Sequence, residues 1–325
     1  MRIRTYLSGD EAGLVDLFNK CFPQGIIRTE RSWMWRYLKN PYFDPEGVII
    51  AEDNGEVKGY LIGTPRDLFF KGQKVPSVIG DDFCVSPEVR GKGIGRTLLM
   101  RFMSFAEDRK ALLMVYEGKD NLAHRMCTQL GWSTVDEFLT LRLVTSPSVD
   151  SLKTAEQERK TGRSDEPGVR RCSEKDLDKV IAFLNLSNRK KMGVPLLNTA
   201  EYKWRYLTYS NSDLKSIFLA EENESIVGHV AVTRHVTSSL GSKRFVLLSE
   251  PCGMIREIFE SLRDLRGCGI YMAAKTRDLT QYESIGFTQA AIGVVVVKDY
   301  ARLGMLQSAE EVEWYLFPES IFGEP

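Results

Sequence analysis

The chain is poor in the residues that build metal and disulfide sites: it has three histidines (124, 229, 235) and six cysteines (21, 84, 127, 172, 252, 268) in 325 residues. The histidines do not cluster with the cysteines and no Cys-x-x-Cys pair occurs, so reduced core thiols are expected rather than a disulfide frame or a zinc site. Charge of one sign is also missing. Lys plus Arg and Asp plus Glu number 44 each, which argues against a polyanion partner, because a nucleic-acid surface carries a basic excess. No apolar run approaches the roughly 20 residues that span a bilayer. Met1-Arg2-Ile3-Arg4 opens no apolar signal segment, so neither nucleic acid nor membrane is expected as a partner, and the expected location is the cytoplasm. With 43% apolar and 27% charged residues, the length suggests about two soluble domains.

What is present is concentrated between Pro87 and Thr97. Arg90, Gly93 and Gly95 stand at Arg-x-x-Gly-x-Gly spacing, with Gly91 and Lys92 between them. Before this turn, Val78 to Val85 alternates as a strand. After it, Ile94, Leu98 and Phe102 recur at helical spacing, with Leu99 and Phe105 beside them. Glycines without a Cβ let successive backbone N–H groups converge, and a helix start adds free donors and the positive dipole end. The place suits a pyrophosphate. A dinucleotide fingerprint needs Gly-x-Gly-x-x-Gly and a Walker loop needs Gly-Lys-Ser/Thr, and neither is spelled here.

Strand, glycine turn and helix in this order resemble the acyl-CoA pyrophosphate loop of the GNAT superfamily of N-acetyltransferases. Phe83-Cys84-Val85 stands for the strand end, and Arg90, Gly91, Lys92, Gly93, Ile94, Gly95, Arg96 and Thr97 for the loop. Downstream, counting back from Gly131-Trp132, Asp120 falls at the family's asparagine position, Asn121 is one residue off, and Cys127 stands where the family carries an acid tyrosine. The resemblance implies an α/β (α+β) fold with a mixed, mostly antiparallel sheet flanked by helices, and acetyl-CoA as co-substrate with no metal. Helices are expected near Glu11 to Phe22 and Glu30 to Leu38. Strands are expected near Val48 to Glu52 and Val57 to Gly63, with Val135 to Val144 closing the domain.

An internal repeat sets the architecture. Trp35-Arg36-Tyr37-Leu38 recurs as Trp204-Arg205-Tyr206-Leu207, Ala51-Glu52 as Ala220-Glu221 and Gly59 as Gly228, all at one offset of 169 residues. Gly131-Trp132 finds its counterpart in Gly286-Phe287 at a shorter offset, and the deletion falls where a second phosphate loop belongs. Phe245 to Leu262 has no Arg-x-x-Gly-x-Gly, and Arg266-Gly267-Cys268-Gly269 reads as a helix stop. The expected plan is residues 1–146 as a GNAT domain with the acyl-CoA loop, 147–167 as a polar linker, and 168–325 as a degenerate second copy. In tandem members of this family the degenerate half completes or supports the acceptor site, which is what the resemblance implies.

Acyl transfer needs a polarised thioester carbonyl, a proton acceptor for the incoming ammonium and a proton donor for the departing thiolate. A backbone N–H near Val85 answers the first demand. Asp81 and Asp82 are candidates for the second; adjacent on a strand, they should face opposite sides, with Asp82 preferred. For the third, Cys127 and Tyr116 are the candidates, although among Leu122, Ala123, Met126 and Leu130 a cysteine also reads as a small buried apolar residue. Tyr282, four before Gly286, keeps a tyrosine in the other copy as a remnant. Trp33, Trp35 and Tyr37 read as packing, and Pro41 to Gly47 as a loop beside the acceptor entrance. The reading is an acetyl transferase acting on a primary amine of a small molecule by direct attack in a ternary complex, with homo-oligomerisation left open. The alternatives are a catalytically silent CoA sensor or scaffold, and an aminoacyl or long-chain acyl transferase.

Overall fold

The computed structural model describes residues 1–23, 27–70, 72–144, 168–207, 216–236, 243–247, 269–275, 278–284 and 286–300. The expected linker and the segment that would hold a second phosphate loop lie outside them. In the first half, β1 (Arg2–Thr5), α1 (Glu11–Cys21), α2 (Glu30–Arg36), β2 (Val48–Asp53), β3 (Glu56–Phe70) and β4 (Gln73–Val85) lead to α3 (Ile94–Asp108). Then come β5 (Leu112–Gly118), α4 (Leu122–Gln129) and β6 (Ser133–Val144). The second half has β7 (Gly168–Arg171), α5 (Leu177–Asn188), the short β8 (Val194–Pro195), α6 (Thr199–Tyr202), and a π turn at Lys203–Leu207. It continues with β9 (Ser216–Glu222), β10 (Ser225–Val236), β11 (Lys243–Leu247), β12 (Gly269–Ala274), α7 (Leu279–Glu283) and β13 (Thr288–Asp299).

The helices form where the apolar spacing puts them. Ile94, Leu98, Phe102 and Phe105 of α3 are buried as one stripe. Helix α2 opens with a capping box, in which Thr29 Oγ1 accepts from the Ser32 N–H and Ser32 Oγ accepts from the Thr29 N–H.

Among the described residues all strands join one mixed, mostly antiparallel sheet in the order β1-β2-β3-β4-β5-β13-β6-β12-β11-β10-β9-β7, with β8 paired to β3. The two halves exchange their last strands. β6 does not close the first half: β13 takes the place beside β5, with Val294 opposite Glu117, and β6 crosses to β12, with Met272 opposite Leu141. The cores follow the exchange. Val294 and Val296 pack with Phe102, Val115 and Trp132, while Leu139 and Leu141 pack with Phe218, Val230 and Phe287. Each such fully buried side chain contributes about 1.5–3 kcal/mol, so neither half has a complete core alone.

Two local arrangements occur in both halves. Arg4 donates from Nε to Glu52 and from both terminal nitrogens to Asp10 (2.7 and 2.8 Å), and Arg170 does the same with Glu221 and Asp176 (2.8 and 2.6 Å). The α4 and α7 ends also match, since Trp132 N–H donates to Cys127 O at 3.1 Å and Phe287 N–H to Tyr282 O at 3.0 Å. Where the halves meet, the repeated tryptophans touch. Trp35 and Trp204 stack at 5.6 Å, and Trp204 Nε1 donates to Trp35 O at 3.0 Å.

Candidate active site

β4 and β5 run parallel over three pairs only, Ser77–Leu112, Val78–Leu113 and Ile79–Met114. Beyond them β4 stays with β3 as far as Val85 opposite Gly59, and β5 stays with β13 as far as Gly118 opposite Gly293. The strands therefore splay into a V.

On the β4 side the chain leaves the sheet through a turn at Pro87–Val89 and enters α3 through Gly91 and Gly93, whose φ values are +78° and +81°. That left-handed backbone explains the glycines. No side chain caps this helix start, and a Cβ built on Gly91 or Gly93 would meet nothing within 4 Å. The first N–H groups of α3 thus point into open space beside Lys92, Arg96 and Thr97, all exposed. Gly95 packs closely on Phe83 and Met126, which holds α3 against the strand end and α4. Arg90 Nε does not reach outward; it donates to Val85 O at 3.0 Å, which also accepts from Cys21 Sγ at 3.4 Å. A hydrogen bond with the buried Cys84 thiol, with Arg90 adding to it, draws the Cys21 thiol down to about 6.

The two aspartates do not face opposite sides. A β-bulge between the Tyr60 and Ile62 pairs gives β4 one extra residue, and Asp82 takes φ +39° there. Both carboxylates are thereby turned to arginines of the α1–α2 side. Asp82 pairs with the buried Arg28, which lies over the Phe18 ring at 3.7 Å, and Asp81 pairs with Arg36 Nη2 at 2.5 Å. Asp82 is nearly closed off, with 6% of its side chain exposed against 16% for Asp81.

Across the V, Asn121 caps α4 by accepting from the His124 N–H and donates from Nδ2 to Glu117 Oε2 at 3.1 Å. Asp120, with φ +61°, offers its backbone N–H to His124 Nδ1 and leaves its own side chain in solvent. Cys127 is core: it is 1% exposed beside Phe102 and Val115, and burial pushes its thiol up to about 12. Tyr116 lies on the opposite face of β5, edge-on to Phe138 at 6.1 Å and near Met114 Sδ. Tyr282 packs in the other core against Phe287.

Glu117 escaped the sequence reading. It closes β5 on the face shared with Leu113 and Val115, half-buried in the opening. Desolvation, reinforced by Asp81, lifts its carboxyl to about 7 against the pull of Asn121. Its only signal in the sequence is a carboxylate ending an apolar strand in phase with two core residues. Arg28 and Arg36 were missed as well, because their carboxylate partners are more than 40 residues away.

The second half covers the α1–α2 face. Glu201, fully buried, accepts from Arg66, from Arg205 Nη2 at 3.1 Å and from Tyr42 Oη at 2.9 Å. The loop around Tyr42 is thus tied to the second half.

Residues 12–132 match the model of the Acetyltransferase (GNAT) family. This stretch of the chain is thus similar in sequence to the GNAT superfamily. Mycothiol acetyltransferase of Mycobacterium marinum (strain ATCC BAA-535 / M) is 32% identical over 153 residues, covering 41% of this chain and 48% of that protein. The enzyme of the same name from Amycolatopsis mediterranei (strain U-32) is 27% identical over 143 residues, 40% of this chain and 46% of that one. The chain thus spans slightly less than half the length of these relatives. In fold, Saccharomyces cerevisiae N-myristoyltransferase with bound myristoyl-CoA superposes with a TM-score of 0.69 at 10% identity, over 92% of this chain and 82% of that one. A GCN5-related N-acetyltransferase from Anabaena variabilis gives 0.63 at 12% identity, over 92% and 72%. The likeness in fold extends through both halves. Among the described residues no helix is long and apolar enough to cross a membrane.

Proposed function

We propose that this protein transfers an acetyl group from acetyl-CoA to a primary amine of a small molecule, by direct attack in a ternary complex. The observation that carries the reading is the open, uncapped glycine turn at Gly91–Gly93, set at the mouth of the V between β4 and β5. The turn's N–H groups and the α3 dipole hold the diphosphate, and the pantetheine arm runs between the strands. The amine enters from the α1–α2 face, where Asp81 is the more accessible of the two carboxylates and serves as its proton acceptor. Arg28 locks Asp82 as part of the frame. The second half, through Glu201 and Trp204, fixes the loop and helix that border this entrance. The relatives' name, mycothiol acetyltransferase, places acetyl transfer among the activities of similar sequences and supports the same reading.

Two measurements test it. Acetyl-CoA raises the melting temperature of the chain more than a longer acyl-CoA does, because a ligand of the folded state stabilises it by mass action. Thiol release from acetyl-CoA then rises with one or more members of a panel of aminosugars and other small polar amines. A thermal shift without any amine-dependent release would point to a silent CoA sensor, a reading favoured by the burial of Cys127. A larger shift and faster release with long acyl chains would replace acetyl by a longer donor.

A further inference from the structure

The inference rests on the transferase reading and concerns the last step of its chemistry. Collapse of the tetrahedral intermediate releases a CoA thiolate, and neither side chain suggested for its proton lies in the opening: Cys127 is sealed in the core and Tyr116 sits against Phe138 on the other face. We infer that Glu117, at the β5 wall of the V, is the proton donor to the departing thiolate.

The geometry supports this in three ways. Glu117, next to last in β5, lies beyond the last β4–β5 pair, Ile79–Met114, so β4 does not pair with the strand there. Asn121 Nδ2 donates to Oε2, which orients the carboxyl and leaves Oε1 to carry the proton. Among the described residues, the titratable groups that act on it are Asp81 from β4 and Cys127 from α4, while β13 places apolar Val294 opposite. No cation among these holds the carboxyl ionised. Burial and Asp81 accordingly keep it near half-protonated at neutral pH, the condition a general acid needs.

The amine lone pair forms the C–N bond, and the carbonyl π pair moves to oxygen. On collapse the C–S bond breaks, and the sulfur takes its electron pair and the Glu117 proton. The carboxylate recovers a proton through water from the newly acylated nitrogen.

The test uses the full chain, acetyl-CoA, and hydroxylamine as a small acceptor that is uncharged at neutral and alkaline pH. Glu117→Gln keeps the hydrogen bond from Asn121, so the acetyl-CoA thermal shift stays at the wild-type value while thiol release slows about a hundredfold. Wild-type kcat falls as pH rises through about 7, and this limb disappears in Glu117→Gln. Glu117→Asp restores part of the rate and the limb. Full thiol release in Glu117→Gln, or a wild-type limb that rises with pH through this range, would overturn the donor role while leaving the transferase reading intact. If the wild type gave no thermal shift, or no release above the uncatalysed rate, the transferase reading itself would fall and the inference with it.

Discussion

The Trp-Arg-Tyr-Leu motif occurs in both halves, and its arginine serves different ends in each. Arg36 reaches the splayed strand and pairs with Asp81, whereas Arg205 turns to Glu201 and shares that carboxylate with Arg66 of the first half. The tryptophans just before them stack on each other. The α4 and α7 ends differ in a similar way: the first half buries a cysteine where the second buries a tyrosine, on matching backbones. The comparison teaches that a duplicated motif conserves packing positions while its polar side chains divide between the site and the junction. Packing tolerates this because buried apolar contacts are non-directional, whereas an arginine acts on whichever carboxylate its stem reaches.

The sharpest break between the halves lies at the glycine turn. Gly93→Leu puts a Cβ on backbone at φ +81° and crowds the converging N–H groups. Each lost charge-assisted hydrogen bond costs about 1.5–3 kcal/mol, so acetyl-CoA binding weakens at least about tenfold per bond and the thermal shift vanishes. The fold survives, because a Cβ there meets nothing within 4 Å and the left-handed strain is about 1–2 kcal/mol. Gly286→Ala, at φ +94° after α7, carries a comparable strain and leaves the acetyl-CoA shift in place. Equal loss of binding in both variants, read by calorimetry, would end the assignment of the site to the first half.

Next in size is the junction. Glu201→Gln leaves Arg66 and Arg205 buried without their carboxylate, and removing one partner of such a cluster costs about 3–5 kcal/mol. Asp81→Asn, at a carboxylate more open to solvent than Glu201, costs less stability in urea unfolding and instead lowers turnover. A reversed order would show that the site, not the junction, carries the stability. Smaller again is the tryptophan stack: a double-mutant cycle of Trp35→Ala and Trp204→Ala gives a coupling of about 0.5–1.5 kcal/mol, and a coupling of zero would mean the halves pack independently there.

The sequence made the local parts legible. The Arg90–Gly93–Gly95 spacing and the Ile94–Phe102 stripe are written in neighbouring or periodic residues, and the turn and helix follow. The strand exchange was not legible. β6 and β13 are both long apolar strands, so periodicity assigns each to a sheet without choosing its neighbours. The bulge at Asp82 depends on register between β3 and β4, and it overturned the alternation expected for the two aspartates. Glu117 gains its character from desolvation and from Asp81 across the opening, neither of which a one-dimensional pattern contains.

The smallest effect is also the strictest test of equivalence. Asp10 and Asp176 receive the same arginine fork, and each also accepts a backbone N–H three residues earlier, from Leu7 and Ser173. Burial acts to raise Asp10, but the Arg4 and Leu7 hydrogen bonds outweigh it and hold the carboxyl below its ordinary range; Arg170 first, then Ser173, do the same for Asp176. A folded-state pKa below the unfolded one gives stability that is present at neutral pH and lost as pH falls below about 4. Asp10→Asn and Asp176→Asn should each lower stability by about 1–2 kcal/mol at pH 7. Both losses begin to shrink as pH falls below about 4 and vanish only once the folded carboxylates themselves take up protons, which for the strongly depressed Asp176 lies far into acid. If one variant's deficit stayed constant across the whole acid range while the other's shrank, the two triads would share a shape without sharing an electrostatic role. The repeat would then be one of backbone and packing alone.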